Sequence, residues 1–232
     1  MNSILSKKWL KVPVFLVCFV PAAIIIWDYL HLAGVLVWGD LQDALMTNAN
    51  PVEYITHNTG DWTIRFLIIT LAITPLRRLL NMPAFIRYRR MLGLFAFLYG
   101  CMHFTTYIWL VNSFDIHEML TDVAKRKFIT VGFTGFVLMI PLAITSTAGW
   151  IRRMGGKNWL LLHRLIYFSA IAGVIHYAWL VKSDERKPIQ YGVLVGLLLL
   201  YRLVVWITGR KQKAADKLTV ATPRPMETSE SA

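Results

Sequence analysis

Six apolar stretches, each near the roughly twenty residues that an α-helix needs to cross the hydrocarbon of a bilayer, recur along this 232-residue chain. They run from Val12 to Leu30, Trp62 to Leu80, Met91 to Val111, Phe128 to Thr147, Trp159 to Val181 and Ile189 to Ile207. Together with 56% apolar residues and a mean hydropathy of +0.50, they predict an all-α integral membrane protein, a six-transmembrane helix bundle. The second run is the weakest, because Arg65 lies inside it and Arg77 and Arg78 crowd its end.

Short loops rich in lysine and arginine stay on the cytoplasmic side. With the N-terminus inside, cytoplasmic segments carry sixteen of the 25 basic residues, among them Lys7, Lys8, Lys11, Arg77, Arg78, Arg87, Arg89, Arg90, Arg152, Arg153 and Lys157. The outer loops carry six, namely Lys125, Arg126, Lys127, Lys182, Arg186 and Lys187, while Arg65, Arg164 and Arg202 fall within spans. Both termini are therefore expected in the cytoplasm. Residues 1–11 form the N-terminal segment, 12–208 the transmembrane domain, and 209–232 a tail whose polar, proline-bearing end reads as disordered. A basic start before an apolar run also describes a secretory signal, but this run is too long and shows no cleavage site.

A net charge of +12 could suggest a nucleic-acid partner. Here the excess sits at helix ends on one side of the membrane, so anionic lipid headgroups account for it and no nucleic acid is expected. Ten of the thirteen acids map outside, including Asp28, Asp40, Asp43, Glu53 and Asp61, expected in a solvated first outer loop. Cys18 and Cys101 both fall in apolar runs and are expected to pack rather than pair.

Three histidines, His103, His163 and His176, lie inside apolar runs. A polar ring in a bilayer is usually functional, and neutral imidazole is a common axial ligand of haem iron. His163 and His176 are thirteen residues apart in one run, a separation of about 20 Å along a helix rising 1.5 Å per residue. They belong to opposite leaflets. His163 lies four residues into an outward-running span, near the cytoplasm, and His103 lies twelve residues into another outward span, at the depth of His176. His103 and His176 can therefore face each other. Thirteen steps of about 100° leave the two imidazoles of the fifth span roughly 140° apart in azimuth. Two cofactors on different flanks, a strong tilt, a distortion near Gly173, or haem binding by only one histidine would each reconcile this.

His31 and His57 flank the first outer loop and His117 follows the third span, positions that favour solvated or interfacial roles. None of the histidines has zinc-site spacing. A proton-relaying transporter or channel is the alternative reading, but no inverted repeat and no acid within the predicted apolar interiors supports it. A structural anchor for an extrinsic enzyme is a third. Pro75 and Pro141 can kink their helices, and Trp62, Trp109, Trp150 and Trp159 read as interfacial anchors. Arg77, Arg78, Arg87, Arg89 and Arg90 cluster between the second and third spans, where guanidinium forks could hold a flavin phosphate, a quinone or haem propionates, or simply meet lipid.

Six stretches carry a family resemblance: H-N-T-G-D-W from His57, L-A-I-T-P-L-R-R from Leu71, I-R-Y-R-R-M-L-G-L from Ile86, C-M-H-F-T-T-Y from Cys101, L-L-H-R-L-I-Y from Leu161 and V-I-H-Y-A-W from Val174. In their order and spacing the chain resembles the MsrQ (YedZ) family, within the ferric-reductase-like transmembrane superfamily. The resemblance implies a bacterial inner-membrane subunit that binds haem b, one or two, with FMN also assigned. It implies electron transfer from the quinone pool or a cytosolic flavin reductase to a periplasmic molybdopterin-dependent methionine-sulfoxide reductase catalytic subunit, which repairs oxidised proteins. The substrate chemistry then belongs to the partner.

His103, His163 and His176 match the family's haem-histidine positions, with His103 and His176 expected on an outer iron and His163 on an inner one. The superfamily's usual inner partner, thirteen or fourteen residues before His103, is here Arg90 or Arg89. Guanidinium stays protonated and does not ligate, so either His163 ligates alone, with water or Met91 opposite, or the inner haem is weakly held or absent. Arg77, Arg78, Arg89 and Arg90 are the candidate flavin, quinone or propionate contacts.

Overall fold

The computed structural model describes residues 8–32, 50–181 and 185–221, and every regular element among them is helical. In chain order these are α1 (Lys11–Leu32), α2 (Pro51–Leu79), α3 (Ile86–Thr106), α4 (Ile116–Lys125), α5 (Lys127–Ile144), α6 (Ala148–Met154), α7 (Gly156–Leu162), α8 (Leu165–Leu180) and α9 (Arg186–Ala221). A 3-10 turn precedes each of α1 and α3, and α3 ends in a π-helical turn, Tyr107–Val111. Among the described residues, five helical stretches are long and apolar enough to cross a membrane: Lys11–Leu30, Pro83–Val111, Lys127–Ile144, Gly156–Leu180 and Arg186–Arg210. The chain is a multi-pass membrane protein.

The expected second span is α2, which has the length but not the apolarity of the other five. Its position explains this. It packs along α3 and also meets α1, α8 and α9, so its flanks face protein and carry Thr59, Asp61 and Thr70 as well as Phe66 and Leu71 in buried positions. A helix enclosed by its neighbours need not match lipid all round. It also starts earlier than the apolar run suggests, because Pro51 suits the first helical position and the Asn50 side chain accepts the Glu53 N–H at 3.2 Å. Asp28, Glu53 and Asp61 thus lie on helices rather than in a solvated loop, with Asp28 and Asp61 each only 8% exposed. Asp40 and Asp43 lie outside the described residues.

The core is aromatic where α1, α2 and α3 meet. Phe66 stacks on Tyr99 at 5.1 Å and on Phe95 at 5.6 Å, and the buried Tyr99 hydroxyl donates to the Cys18 carbonyl at 2.8 Å. Trp62 joins this stack, 5.9 Å from Tyr99, and so packs inside instead of anchoring at the interface. Both cysteines are free thiols. On the other side α5 packs on α8 with little between them: Ser169 donates to the Gly135 carbonyl at 2.9 Å, and a Cβ on Gly135 would sit 3.1 Å from that of Ala172. Small residues that let backbones approach are the usual cement of membrane helices. Arg202 ties α9 to both halves, donating to the Tyr167 hydroxyl at 2.8 Å, the Leu71 carbonyl at 2.8 Å and Thr74 at 3.1 Å.

Two further departures from the sequence reading concern the fifth span and the last helix. The fifth span is not one helix: α7 ends at Leu162, His163 and Arg164 form a turn, and α8 begins at Leu165. Arg164 N–H bonds to Leu161 and Tyr167 N–H to Arg164, a three-residue spacing that tightens the junction. The azimuth of His163 is therefore uncoupled from that of His176, and the break lies at His163 itself, not near Gly173. Gly155, between α6 and α7, adopts φ +75° and ψ 148°, a conformation open essentially to glycine. The second departure is α9, which runs on to Ala221, well into the stretch expected to be disordered; residues 222–232 lie outside the described residues.

Candidate functional site

The starts of α2 and α5 lie beside the ends of α3 and α8. There they enclose a largely apolar cavity of about 330 Å³, reached by His103 of α3 and His176 of α8. The two imidazole centroids are 6.1 Å apart with the ring planes at 79°. His103 Nδ1 lies 3.0 Å from the Thr56 carbonyl and 3.2 Å from Thr59 Oγ1, and His176 Nδ1 lies 2.7 Å from the Phe128 carbonyl. A carbonyl can only accept, so in each ring Nδ1 carries the hydrogen and donates it. A neutral ring held this way keeps its lone pair on Nε2, the usual arrangement for a metal-binding histidine whose other nitrogen is tethered.

Glycine makes room for both rings. A Cβ on Gly60 would lie 3.2 Å from His103 Cε1, and a Cβ on Gly132 would lie 2.5 Å from His176 Nδ1, closer than real carbon atoms approach. Phe104, Phe133 and Phe136 supply apolar walls, while His57, Asp61, Tyr107, Arg126 and Tyr177 supply the polar ones. His57 also lines this cavity, and its half-exposed side chain lies 3.7 Å from Glu53. His117 is exposed, and the His31 side chain lies outside the described residues.

Toward the other end of the bundle a second cavity, about 270 Å³, is lined by His163. Its Nδ1 donates to the Trp159 carbonyl at 3.0 Å, and Trp159 stacks on the imidazole with centroids 3.8 Å apart. Trp159 is held in turn by its indole N–H, which donates to the Thr145 carbonyl at 2.8 Å. His163 Nε2 and Thr70 Oγ1, both lining this cavity, are buried without a hydrogen-bond partner. Arg89, Arg90 and Arg164 line it too. Arg77 and Arg78 do not: they occupy the last turn of α2, and Arg78 is exposed. Met91 packs against the hydrophobic core and does not line the cavity. The four arginines read together from the sequence thus divide into one pair at the His163 cavity and one pair away from it.

Met139, on α5, lines both cavities, and beside it Phe97 of the His163 cavity stacks on Phe136 of the paired-histidine cavity at 5.8 Å. The two sites are therefore separated by one thickness of apolar side chain.

The ferric reductase like transmembrane component family model matches residues 59–174, which carry His103 and His163 but stop short of His176. A protein of Herminiimonas arsenicoxydans described as the protein-methionine-sulfoxide reductase heme-binding subunit MsrQ is 53% identical over 198 residues, 83% of this chain and 90% of the relative. Proteins of the same description from Xanthomonas campestris pv. campestris strain 8004 and Rhodospirillum rubrum are 44% and 42% identical, over 92% and 88% of this chain and 95% and 92% of their own lengths. The chain belongs to the MsrQ family. It lies within the ferric-reductase-like transmembrane superfamily. No solved structure matches it.

Within this MsrQ-family chain, reading the sequence for ligands found the imidazoles but missed what holds them. Thr59 and Gly60 lie within the H-N-T-G-D-W motif on α2 and Thr56 immediately precedes it, while Gly132 begins a G-F-T-G run on α5. Their roles arise from contacts across helices, for which a single sequence carries no signal beyond the presence of glycine in an apolar run. The shared wall at Met139 was equally invisible.

Proposed function

We propose that the chain is the electron-conducting membrane subunit of a methionine-sulfoxide reductase system, with haem b held between His103 and His176. The supporting observation is the pair of imidazoles from different helices, 6.1 Å apart, each with Nδ1 tied to a backbone carbonyl and Nε2 left to ligate. Two metal–imidazole bonds of about 2 Å each, with the half-widths of the rings, span on the order of 6 Å, so the residues fit the group. The relatives' description as heme-binding subunits agrees.

When bound, haem b supplies a one-electron iron couple. The residues of the chain do the rest: His103 and His176 hold the iron from two helices, Thr56 and Phe128 fix the ring orientations, and the phenylalanine walls exclude water. His163, with its unpartnered Nε2, is the candidate ligand of a second haem, and Arg89, Arg90 and Arg164 are placed to neutralise propionates or a flavin or quinone at that end. FMN belongs to this reading on the family resemblance.

In this reading the chain crosses the inner membrane six times with both termini cytoplasmic, as the distribution of basic residues supports, and the His163 cavity then lies at the cytoplasmic face and the paired-histidine cavity toward the periplasm. Residues 12–208 form the membrane domain, flanked by cytoplasmic segments 1–11 and 209–232. Electrons enter from the quinone pool or a cytosolic flavin reductase and leave to a periplasmic molybdopterin-dependent catalytic subunit.

An absorption spectrum of the detergent-purified protein, oxidised and then dithionite-reduced, with haem quantified against protein, tests the reading. A Soret band that shifts on reduction, with sharp α and β bands, is expected. A colourless protein from haem-replete cells overturns it.

A further inference from the structure

The paired-histidine cavity has one buried carboxylate in its wall. Asp61 is 8% exposed, lies one helical position after the Gly60 that cradles His103, and lines the cavity that both imidazoles enter. It is not isolated: Arg65 Nη2 and Lys187 Nζ each lie 3.5 Å from its Oδ2. Arg65 in turn donates to the Tyr191 hydroxyl at 3.1 Å and lies 4.9 Å over the Trp62 ring, so its charge is shared among several partners. Tyr177, which also lines the cavity, shares the Asp61 carboxylate. His57 and Arg126 are the remaining ionisable groups with basic side chains in the cavity wall, and Arg126 is already paired with Asp122 at 3.0 Å.

A buried carboxylate inside a membrane bundle is costly to keep, and a merely structural ion pair needs no place on a cofactor cavity. We propose that Asp61 is a potential-setting residue for the group held by His103 and His176, its negative charge opposing the arrival of each electron. The inference rests on the haem reading above. Reduction makes the site more negative by one charge, and a fixed negative charge nearby in a weakly screened interior raises the cost of that step. Arg65 and Lys187 offset part of this charge and hold the carboxylate in place. Because Lys187 is 59% exposed, its opposing influence is the more strongly screened.

The arrangement makes predictions of opposite sign. Asp61→Asn, which keeps size and hydrogen-bonding capacity, raises the midpoint potential of the haem that depends on His103 and His176; a tenfold shift in the reduced-to-oxidised ratio at fixed potential, about 59 mV for one electron, is the expected scale. Lys187→Gln leaves the carboxylate less neutralised and lowers that potential, by less. Asp61→Glu keeps the charge and stays near the parent protein.

Spectroelectrochemical titration of the purified protein and these variants, with haem content and thermal stability measured on the same samples, decides the matter. Opposite shifts in Asp61→Asn and Lys187→Gln at unchanged haem content support the proposal. Unmoved potentials with lowered thermal stability, or shifts of the same sign, overturn it and leave Asp61 a structural ion pair. If Asp61→Asn does not accumulate, a Lys187→Gln potential that fails to fall overturns it alone. A parent protein without haem overturns the functional reading itself, whereas a haem-loaded parent with unmoved variants overturns only the role of Asp61.

Discussion

The backbone of Gly132 lies so close to the His176 imidazole that a Cβ at that position would sit 2.5 Å from Nδ1 and 2.9 Å from Cγ and Cε1. The same Nδ1 donates to the Phe128 carbonyl one helical turn earlier. The start of α5 thus both tethers the ring and leaves the hole that the ring fills. Gly132→Ala is expected to push the imidazole off its tether and abolish the spectral signature of the paired-histidine haem, while the protein still inserts. Gly60→Ala, whose Cβ would meet His103 at 3.2 Å, needs only a few tenths of an ångström of movement and should weaken haem retention less. Haem-to-protein ratios of the two variants check the ranking.

The histidines themselves separate by cavity. His103→Ala and His176→Ala should remove the same low-spin signal, since the two rings share one cavity, and His163→Ala should leave that signal intact. Low-temperature electron paramagnetic resonance of the three variants reads this directly. Equal loss from all three would refute the division into two sites.

The arginines give a paired control. Arg89→Gln with Arg90→Gln removes two of the three guanidinium groups lining the His163 cavity and should reduce retention of any anionic cofactor there, measured as flavin or second-haem content after purification. Arg77→Gln with Arg78→Gln, on the last turn of α2 away from that cavity, should leave cofactor content unchanged.

Arg202 is a stability prediction independent of cofactor. Its guanidinium spans α9, α2 and α8 through three hydrogen bonds, and its Nε is buried. At about 1 kcal/mol for each interhelical hydrogen bond, Arg202→Met should cost about 2–3 kcal/mol and lower the melting temperature in detergent. Arg202→Lys should recover only part, because one ammonium cannot reproduce the planar fork. Differential scanning fluorimetry of the parent and the two variants measures this.

Much of the architecture is legible in one dimension because crossing a bilayer imposes a length and an apolarity on each helix. That constraint made α1, α3, α5, α8 and α9 visible as runs and marked His103, His163 and His176 as exceptional within them. It also ranked His103 and His176 at one depth, since rise per residue is nearly constant in a helix. The same reasoning faltered at α2, where packing against neighbouring helices replaces lipid and Asp61, expected in a solvated outer loop, is buried beside Arg65.

The amino-acid order alone thus revealed the membrane class, the family, and three histidines set within apolar runs. The tertiary structure alone decided the break at His163 that frees it from the azimuth of His176, the carbonyls that set each ring's free nitrogen, the glycines that make room for the rings, and the placing of Asp61 in the cavity wall. The physical reason is that hydropathy and rise act along one helix, whereas ring orientation and local charge depend on contacts between residues far apart in the chain, such as His176 with Phe128 and Asp61 with Lys187.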